Sequence, residues 1–252
     1  MIDIHTHLMP GVDDGSPSVE KSLTVLAKFA RDGVTTVVCT PHLVATDAHR
    51  LDTSGHDAAF AALVAAAPAV PALERGWEIM LDATGIDLRL PSLGLAGSKS
   101  VLVEFPRMNV PAGATAELRR IDRSGLIPVL AHPERYWGCT PQRIEEWRMT
   151  GAVIQMDAAM LLSNGPVGKL ARAMLERGLV DVIASDNHGD VRSLGAARRW
   201  LDEMGAEEQT SLLTRVNAER LLAGERPLPV PAMPSLTTGM LGRLKSLLLG
   251  RK

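Results

Sequence analysis

Apolar residues along the 252-residue chain follow two rhythms that alternate. Short β-branched or apolar runs are interleaved with stretches whose apolar positions recur every three to four residues, the pattern of β/α units with parallel strands. Seven runs read as strands: Met1 to His7, Val34 to Thr40, Glu78 to Leu81, Val101 to Glu104, Ile127 to Ala131, Val153 to Asp157 and Asp181 to Ser185. Among the helical stretches, Ser18 to Arg31 carries Leu23, Leu26, Ala27 and Ala30 on one face and stops at Gly33. Pro111 to Ser124 opens on proline and ends before Gly125, and Pro166 to Arg177 ends before Gly178. Seven parallel units without a large break favour a closed TIM-like α/β barrel. A doubly wound sheet is the alternative that strand counting leaves open.

The end of the chain departs from this rhythm. Arg226 to Pro234 holds four prolines in nine residues and reads as an extended connector. Beyond it, Leu236, Met240, Leu241, Leu244, Leu247 and Leu248 recur at helical spacing beside Arg243, Lys245, Arg251 and Lys252, with no acid. One reading is a helix packed on this chain or on a sister subunit of a homo-oligomer. The other is a basic amphipathic contact of residues 236–252 with a membrane surface or partner.

Composition narrows the function. With 27 Lys+Arg against 29 Asp+Glu, the net charge of −2 gives no general field for nucleic acid. Cys39 and Cys139 are too few and too far apart for a disulfide framework or a thiolate zinc site, so any metal must be held by His and carboxylates. Asp3, His5 and His7 fall where a secretory signal would need an apolar run, and no later stretch reaches about 18 uninterrupted apolar residues. The chain therefore reads as cytoplasmic.

His and carboxylates gather at one end of the expected strands. His5 and His7 point to one face at the end of strand one, about 7 Å apart along the backbone. His42 ends strand two, Glu78 lies at strand three, Glu104 ends strand four, His132 ends strand five, and Asp186 with His188 ends strand seven. That C-terminal rim is where β/α barrels build active sites. With Asp14 of the GVDDG turn the set exceeds what one ion needs; imidazole and carboxylate without thiolate suit Mn, Fe or Zn, two or three of them. Such ions acidify water and clamp phosphoryl oxygens, which implies metal-assisted hydrolysis. Arg135 and Arg192 add planar forks matched to phosphate. His49 and His56 read as solvated loop residues. The sixth residue after each cysteine, Ala45 and Glu145, is not the arginine of a cysteine phosphatase loop, and neither GxSxG nor GxxxxGK[ST] occurs.

In order and spacing, MIDIHTHLMPGVDDG, TPH, GWE, SVLVEFP, AHPERY, ASDNH and NAERLL resemble the PHP (polymerase and histidinol phosphatase) family, in its bacterial protein-tyrosine phosphatase branch linked to capsule and exopolysaccharide synthesis. The resemblance covers residues 1–224 and leaves 225–252 as connector and tail. It implies a distorted (β/α)7 barrel with a trinuclear, manganese-activated centre. By motif, His5, His7, Glu104 and Asp186 would hold one ion, with Glu104 bridging to a second that includes His132; Asp14, His42, Glu78 and His188 would supply the rest. Arg135 and Arg192 look like the phosphate-binding arginines, Arg192 one residue closer to its motif than usual. Leu43 stands where a second His is common, and Asp157 ends strand six as a base behind the ligands or a loop cap.

The resulting expectation is a metal-dependent phosphatase of phosphotyrosine on a partner protein, such as a bacterial tyrosine kinase of polysaccharide synthesis. A tyrosine leaving group, pKa about 10, needs little protonation, and no convincing general acid stands out. The alternatives are a histidinol-phosphate or sugar-phosphate phosphatase and a non-catalytic metal-binding module.

Overall fold

The computed structural model describes residues 1–233, so the helix expected over 236–252 lies outside the described residues. Nine strand segments are present: β1 (Ile2–Thr6), β2 (Thr36–Cys39), β3 (His42–Val44), β4 (Ala72–Arg75), β5 (Glu78–Met80), β6 (Ser100–Glu104), β7 (Ile127–Ala131), β8 (Val153–Asp157) and β9 (Val182–Ala184). They form two parallel sheets, β1-β2-β4 and β3-β5-β6-β7-β8-β9.

The nine segments fill seven strand positions. β2 and β3 are one position interrupted at Thr40-Pro41, and β4 and β5 another interrupted at Gly76-Trp77. Proline cannot donate to a ladder, so the second position breaks there. Across the breaks Gly76 N donates to Cys39 O and Glu78 N to Pro41 O, each at 3.0 Å, which carries the pairing from one sheet into the other. A Cβ on Gly76 would meet Leu95 Cδ2 at 2.8 Å; without one, Leu95 packs beside the bend. β9 returns to β1 through Asp186 N to His5 O (3.0 Å), His7 N to Asn187 O (2.8 Å) and Ser185 N to Asp3 Oδ1 (3.0 Å). The barrel is therefore closed and distorted, as expected, although both breaks escaped the sequence pattern.

Helices cover the outside. In α1 (Val19–Asp32), Ser18 caps the first turn by accepting from Lys21 N, and Gly33 ends it in the left-handed region. Its buried face is Ser22, Val25, Leu26 and Phe29, one position round from the expected stripe, and Ala27 is exposed. α2 (Ser54–Ala66) is a helix that the hydrophobic pattern does not predict, because its run of alanines has no apolar stripe to read, and it places His56 on a helix rather than in a loop. His56 instead packs against the Trp77 ring at 4.8 Å. α3 (Ala114–Arg123), α4 (Pro141–Arg148), α5 (Ala158–Leu162), α6 (Pro166–Glu176), α7 (Leu194–Glu203) and α8 (Glu207–Ser211) follow, and a π-helical turn over Leu212–Val216 leads into α9 (Asn217–Leu222).

Inside the barrel Ile2, Ile4, Val38, Leu102, Val129, Val153 and Val182 form one apolar cluster, sealed from below by Leu95 and by Ala218 and Leu221 of α9. Ser98 Oγ and Ser100 Oγ donate to Leu221 O at 3.0 and 2.7 Å, which anchors the end of α9. The proline-rich segment does not stand free. Val230 and Met233 are buried against the helices, and Arg226 bonds Asp122 and the Gly151 carbonyl.

Candidate metal centre

The register of β1 against β2 slips between Asp3 and Thr6: three steps along β1 match two along β2. A strand alternates its faces, so this bulge re-aims every side chain after it. Ile2 and Ile4 lie in the inner core, yet His5 also turns inward, its Nδ1 3.0 Å from Gln155 Oε1. His7 follows it to the same side. Gly15 fixes the turn beyond: a Cβ there would fall 2.2 Å from His7 O, and Ser16 N donates to that same carbonyl at 2.8 Å. The turn thereby sets Asp13 Oδ2 2.7 Å from His7 Nδ1.

Both imidazoles give Nδ1–H to an oxygen, and the neutral tautomer then presents Nε2 as a lone pair. The two Nε2 atoms face one another at 3.2 Å. Around them, Glu78 Oε2 lies 3.3 Å from His5 Nε2 and 3.2 Å from His7 Nε2, and Asp186 Oδ1 lies 3.2 and 3.3 Å from the same atoms. The four atoms lie within 4.8 Å of one another. A point equidistant from four atoms so spaced is about 2.0 to 2.4 Å from each, overlapping the nitrogen and oxygen distances of a first-row divalent ion.

Strand register explains why Glu78 is central. Glu78 pairs with Leu102, and Met80 pairs with Glu104, so Glu104 sits one pleat nearer the mouth. The division expected from the resemblance put Glu104 with His5, His7 and Asp186; the geometry puts Glu78 there. Glu78 Oε2 also lies 3.0 Å from His42 Nδ1, and its Oε1 lies 2.8 Å from His132 Nε2. Glu104 stands 3.9 Å from both of those imidazoles. Toward solvent, Asp14 Oδ1 lies 3.3 Å from His42 Nε2 and 3.5 Å from His188 Nε2, while His188 Nδ1 bonds the Asp186 carbonyl at 2.9 Å. His188 stacks on His7 with ring centres 4.1 Å apart. All nine expected ligands thus stand in one cluster, lining a cleft of about 400 Å³ or packed directly beneath it.

The electrostatics fit cations. Burial opposes charge on His5, but Glu78 and Asp186 outweigh it and raise the imidazole to about 9. His7 is likewise raised, against its own burial, by Asp13, Asp186 and Glu78. Protonation of both would set two N–H groups head to head. Burial, with the charge of Glu78, raises Glu104 to about 7. Asp186 Oδ1 and His132 Nδ1 are buried without a hydrogen-bond partner, an arrangement that costs about 1 to 3 kcal/mol per group. A divalent ion among these oxygens and nitrogens would favour the carboxylate and neutral imidazole forms and use the orphaned oxygen as a ligand.

Arg135 lines the cleft, bonded to Asp186 and 3.4 Å from Asp157 Oδ2. Arg192 Nη1 reaches Asp186 Oδ2 at 3.3 Å, but its Nε is held by Asp190 at 2.7 Å. Asp157 is buried, raised to about 6 by burial and by Asp186 against the pull of Arg135, and caps α5 by accepting from Ala159 N. Sequence reasoning missed Asp13, Gln155 and Arg107. Asp13 is the first acid of the same DDG turn that supplied Asp14; nothing local marks Gln155; Arg107 follows Phe105-Pro106 onto the cleft wall.

A family model described as capsular polysaccharide synthesis, CpsB/CapC, matches residues 1–223. The tyrosine-protein phosphatase YwqE of Bacillus subtilis is 29% identical over 93% of this chain and 96% of its own length. The tyrosine-protein phosphatase CpsB of Streptococcus pneumoniae is 31% identical over 75% of this chain and 83% of its own. A solved structure from work on YwqE and CpsB, described as unique metal-dependent tyrosine phosphatases, superposes with a TM-score of 0.74 at 27% identity, over 93% of this chain and 99% of that one.

Proposed function

The chain belongs to the CpsB/CapC family of capsular polysaccharide synthesis, and from that premise we propose that it is a metal-dependent protein-tyrosine phosphatase. One observation carries the reading: two imidazoles, each held at Nδ1, and two carboxylates aim four ligand atoms at one point in a cleft that Arg135 lines. His5, His7, Glu78 and Asp186 would hold one ion; Asp14, His42 and His188 a second; Glu104, with Glu78, His42 and His132 around it, a third. Two to three Mn2+ ions suit this oxygen-rich donor set, with Fe or Zn as the alternatives. Divalent ions there supply an acidified water and a Lewis-acid clamp on phosphoryl oxygens.

The chain's own groups bind and orient. Arg135 presents donors to the phosphoryl oxygens from the cleft wall, and Arg192 steadies Asp186 from the other side. Asp13 and Gln155 hold the two central imidazoles in their ligand tautomers. A departing tyrosine oxide, pKa about 10, leaves without a dedicated acid. The PHP barrel of residues 1–224 would thus serve a phosphotyrosine protein in the cytoplasm, a bacterial tyrosine kinase of polysaccharide synthesis being the partner we favour. No helix among the described residues is long and apolar enough to cross a membrane.

The test compares Mn2+-dependent turnover of a phosphotyrosine peptide with that of histidinol phosphate. Faster turnover of histidinol phosphate would reject the substrate. Absence of any metal-dependent turnover, in the wild type as in Arg135→Ala, would reduce the chain to a metal-binding module.

A further inference from the structure

Next to the metal cleft lies a second depression, a groove of about 430 Å³ among Met108, Asn109, Trp137, Gln142, Arg143 and Trp147. None of these residues belongs to the metal group. Two backbone segments run from the cleft straight into it. Arg107 lines the cleft and Met108 the groove; Arg135 lines the cleft, and Tyr136 and Trp137 the groove. The segments are tied together where they cross, Trp137 N donating to Arg107 O at 2.8 Å. Cleft and groove are therefore adjacent, and the two bonded segments form the lip between them.

That lip is apolar and open to solvent. Trp137 is 77% exposed and Met108 75% exposed, among the most exposed large apolar side chains of the described residues. Exposed aromatic area of this kind marks a surface made for contact. At the groove, Trp147 is only 1% exposed and its Nε1 donor has no partner. Its ring is covered by the Arg143 guanidinium at 5.6 Å, and Arg143 lies 3.7 Å from Glu146, so the groove carries a balanced charge.

We propose that the groove binds the polypeptide that carries the phosphotyrosine, taking an apolar side chain beside that residue against Trp137 and Met108. The inference rests on the phosphatase reading above and deepens it. A small phosphomonoester fills the cleft alone and has nothing to place on this lip. An extended peptide leaving the cleft past Arg107 and Arg135 advances about 3.3 Å per residue and crosses the lip, which faces it with apolar surface and a balanced ion pair rather than with a net charge.

The test uses the full chain with Mn2+ and three substrates: a phosphotyrosine peptide flanked by leucine, the same peptide flanked by glutamate, and p-nitrophenyl phosphate. Trp137→Ala, at an exposed position outside the metal group, is expected to lower kcat/KM for the leucine peptide about tenfold through KM. Turnover of p-nitrophenyl phosphate should stay unchanged, and the preference for leucine over glutamate should disappear. Calorimetry with a non-hydrolysable phosphonate form of the leucine peptide should show the same tenfold rise in Kd. Equal losses on all substrates, or none on the peptide, would overturn the groove while leaving the phosphatase reading intact. So would a change in sedimentation with peptide KM unaltered, since a second copy would then be what covers the lip. No turnover of any aryl phosphate by the wild type would overturn both readings together.

Discussion

At the floor of the barrel, α9 brings Asn217 into the core with each of its bonds matched: Nδ2 donates to Asp181 O and Leu228 O at 2.8 and 3.0 Å, and Oδ1 accepts from Leu228 N at 2.8 Å. Toward the mouth, His132, Glu134, Gln155, Ser185 and Asp186 each keep a buried polar atom without a hydrogen-bond partner. Asn217 is thus fully satisfied at the floor, while several buried groups toward the mouth are left open. Unpaired buried groups cost about 1 to 3 kcal/mol each. The floor spends its polar contacts on closure, and the mouth holds ligand atoms ready for ions the protein does not itself supply.

The sharpest way to break this contrast is to remove the group on which the mouth converges. Glu78→Ala takes away the carboxylate that lies within 3.3 Å of each of His5, His7, His42 and His132. Turnover of an aryl phosphate should fall by about 10³-fold, the scale of several kcal/mol of lost transition-state stabilisation. The rise in Tm on adding Mn2+, worth about 2.7 kcal/mol at one hundred times Kd in the wild type, should vanish with it. A variant that still binds Mn2+ tightly would show that Glu78 is only an ion-pair partner.

The floor should answer in the opposite way. Asn217→Ala strands two carbonyls and one N–H, and we expect a loss of about 1 to 3 kcal/mol in stability, read as a drop of about 2 to 4 °C in Tm per kcal/mol. Turnover per folded molecule should stay at the wild-type value. A matching loss of turnover at full metal occupancy would mean that floor and mouth are coupled, and the comparison would fail.

Much of this architecture was legible in the sequence because its signals are local. HTH, HPER and SDNH place ligand-type residues at the ends of runs that read as strands, and one shared rim follows from parallel strands alone. The grouping of the candidate ligands was not legible, because it depends on register. Whether Glu78 or Glu104 lies under the imidazoles is settled by Glu78 pairing with Leu102, and His5 turns inward only because β1 carries a bulge. Neither leaves a mark on hydrophobic alternation. The two broken strands were hidden for a related reason: β3 and β5 are three residues each, too short to show a period. α2 escaped because alanine on every side gives a helix no stripe. Asn217 reads as an ordinary polar residue in NAERLL, and only the fold reveals that it closes the barrel.

The smallest effect sits at the mouth itself, in a residue that touches a candidate ligand without belonging to the set. Asp13 accepts from His7 Nδ1 at 2.7 Å, from Gly15 N at 3.0 Å and from His42 N at 3.3 Å. Against its own burial, the His7 imidazole keeps its carboxyl below the usual range. Asp13→Asn retains an acceptor for His7 but loses the charge that makes the imidazole a stronger donor to an ion. Mn2+ affinity should fall about tenfold, the lower end of what the loss of such a supporting partner costs. Because the imidazole still points at the same place, turnover at saturating Mn2+ should remain near the wild-type value. A metal titration separates the two effects. Unchanged affinity would mean that Gly15 and Ser16, packed on the His7 carbonyl, orient the ring unaided; a loss that saturating metal cannot restore would give Asp13 a role in the reaction itself.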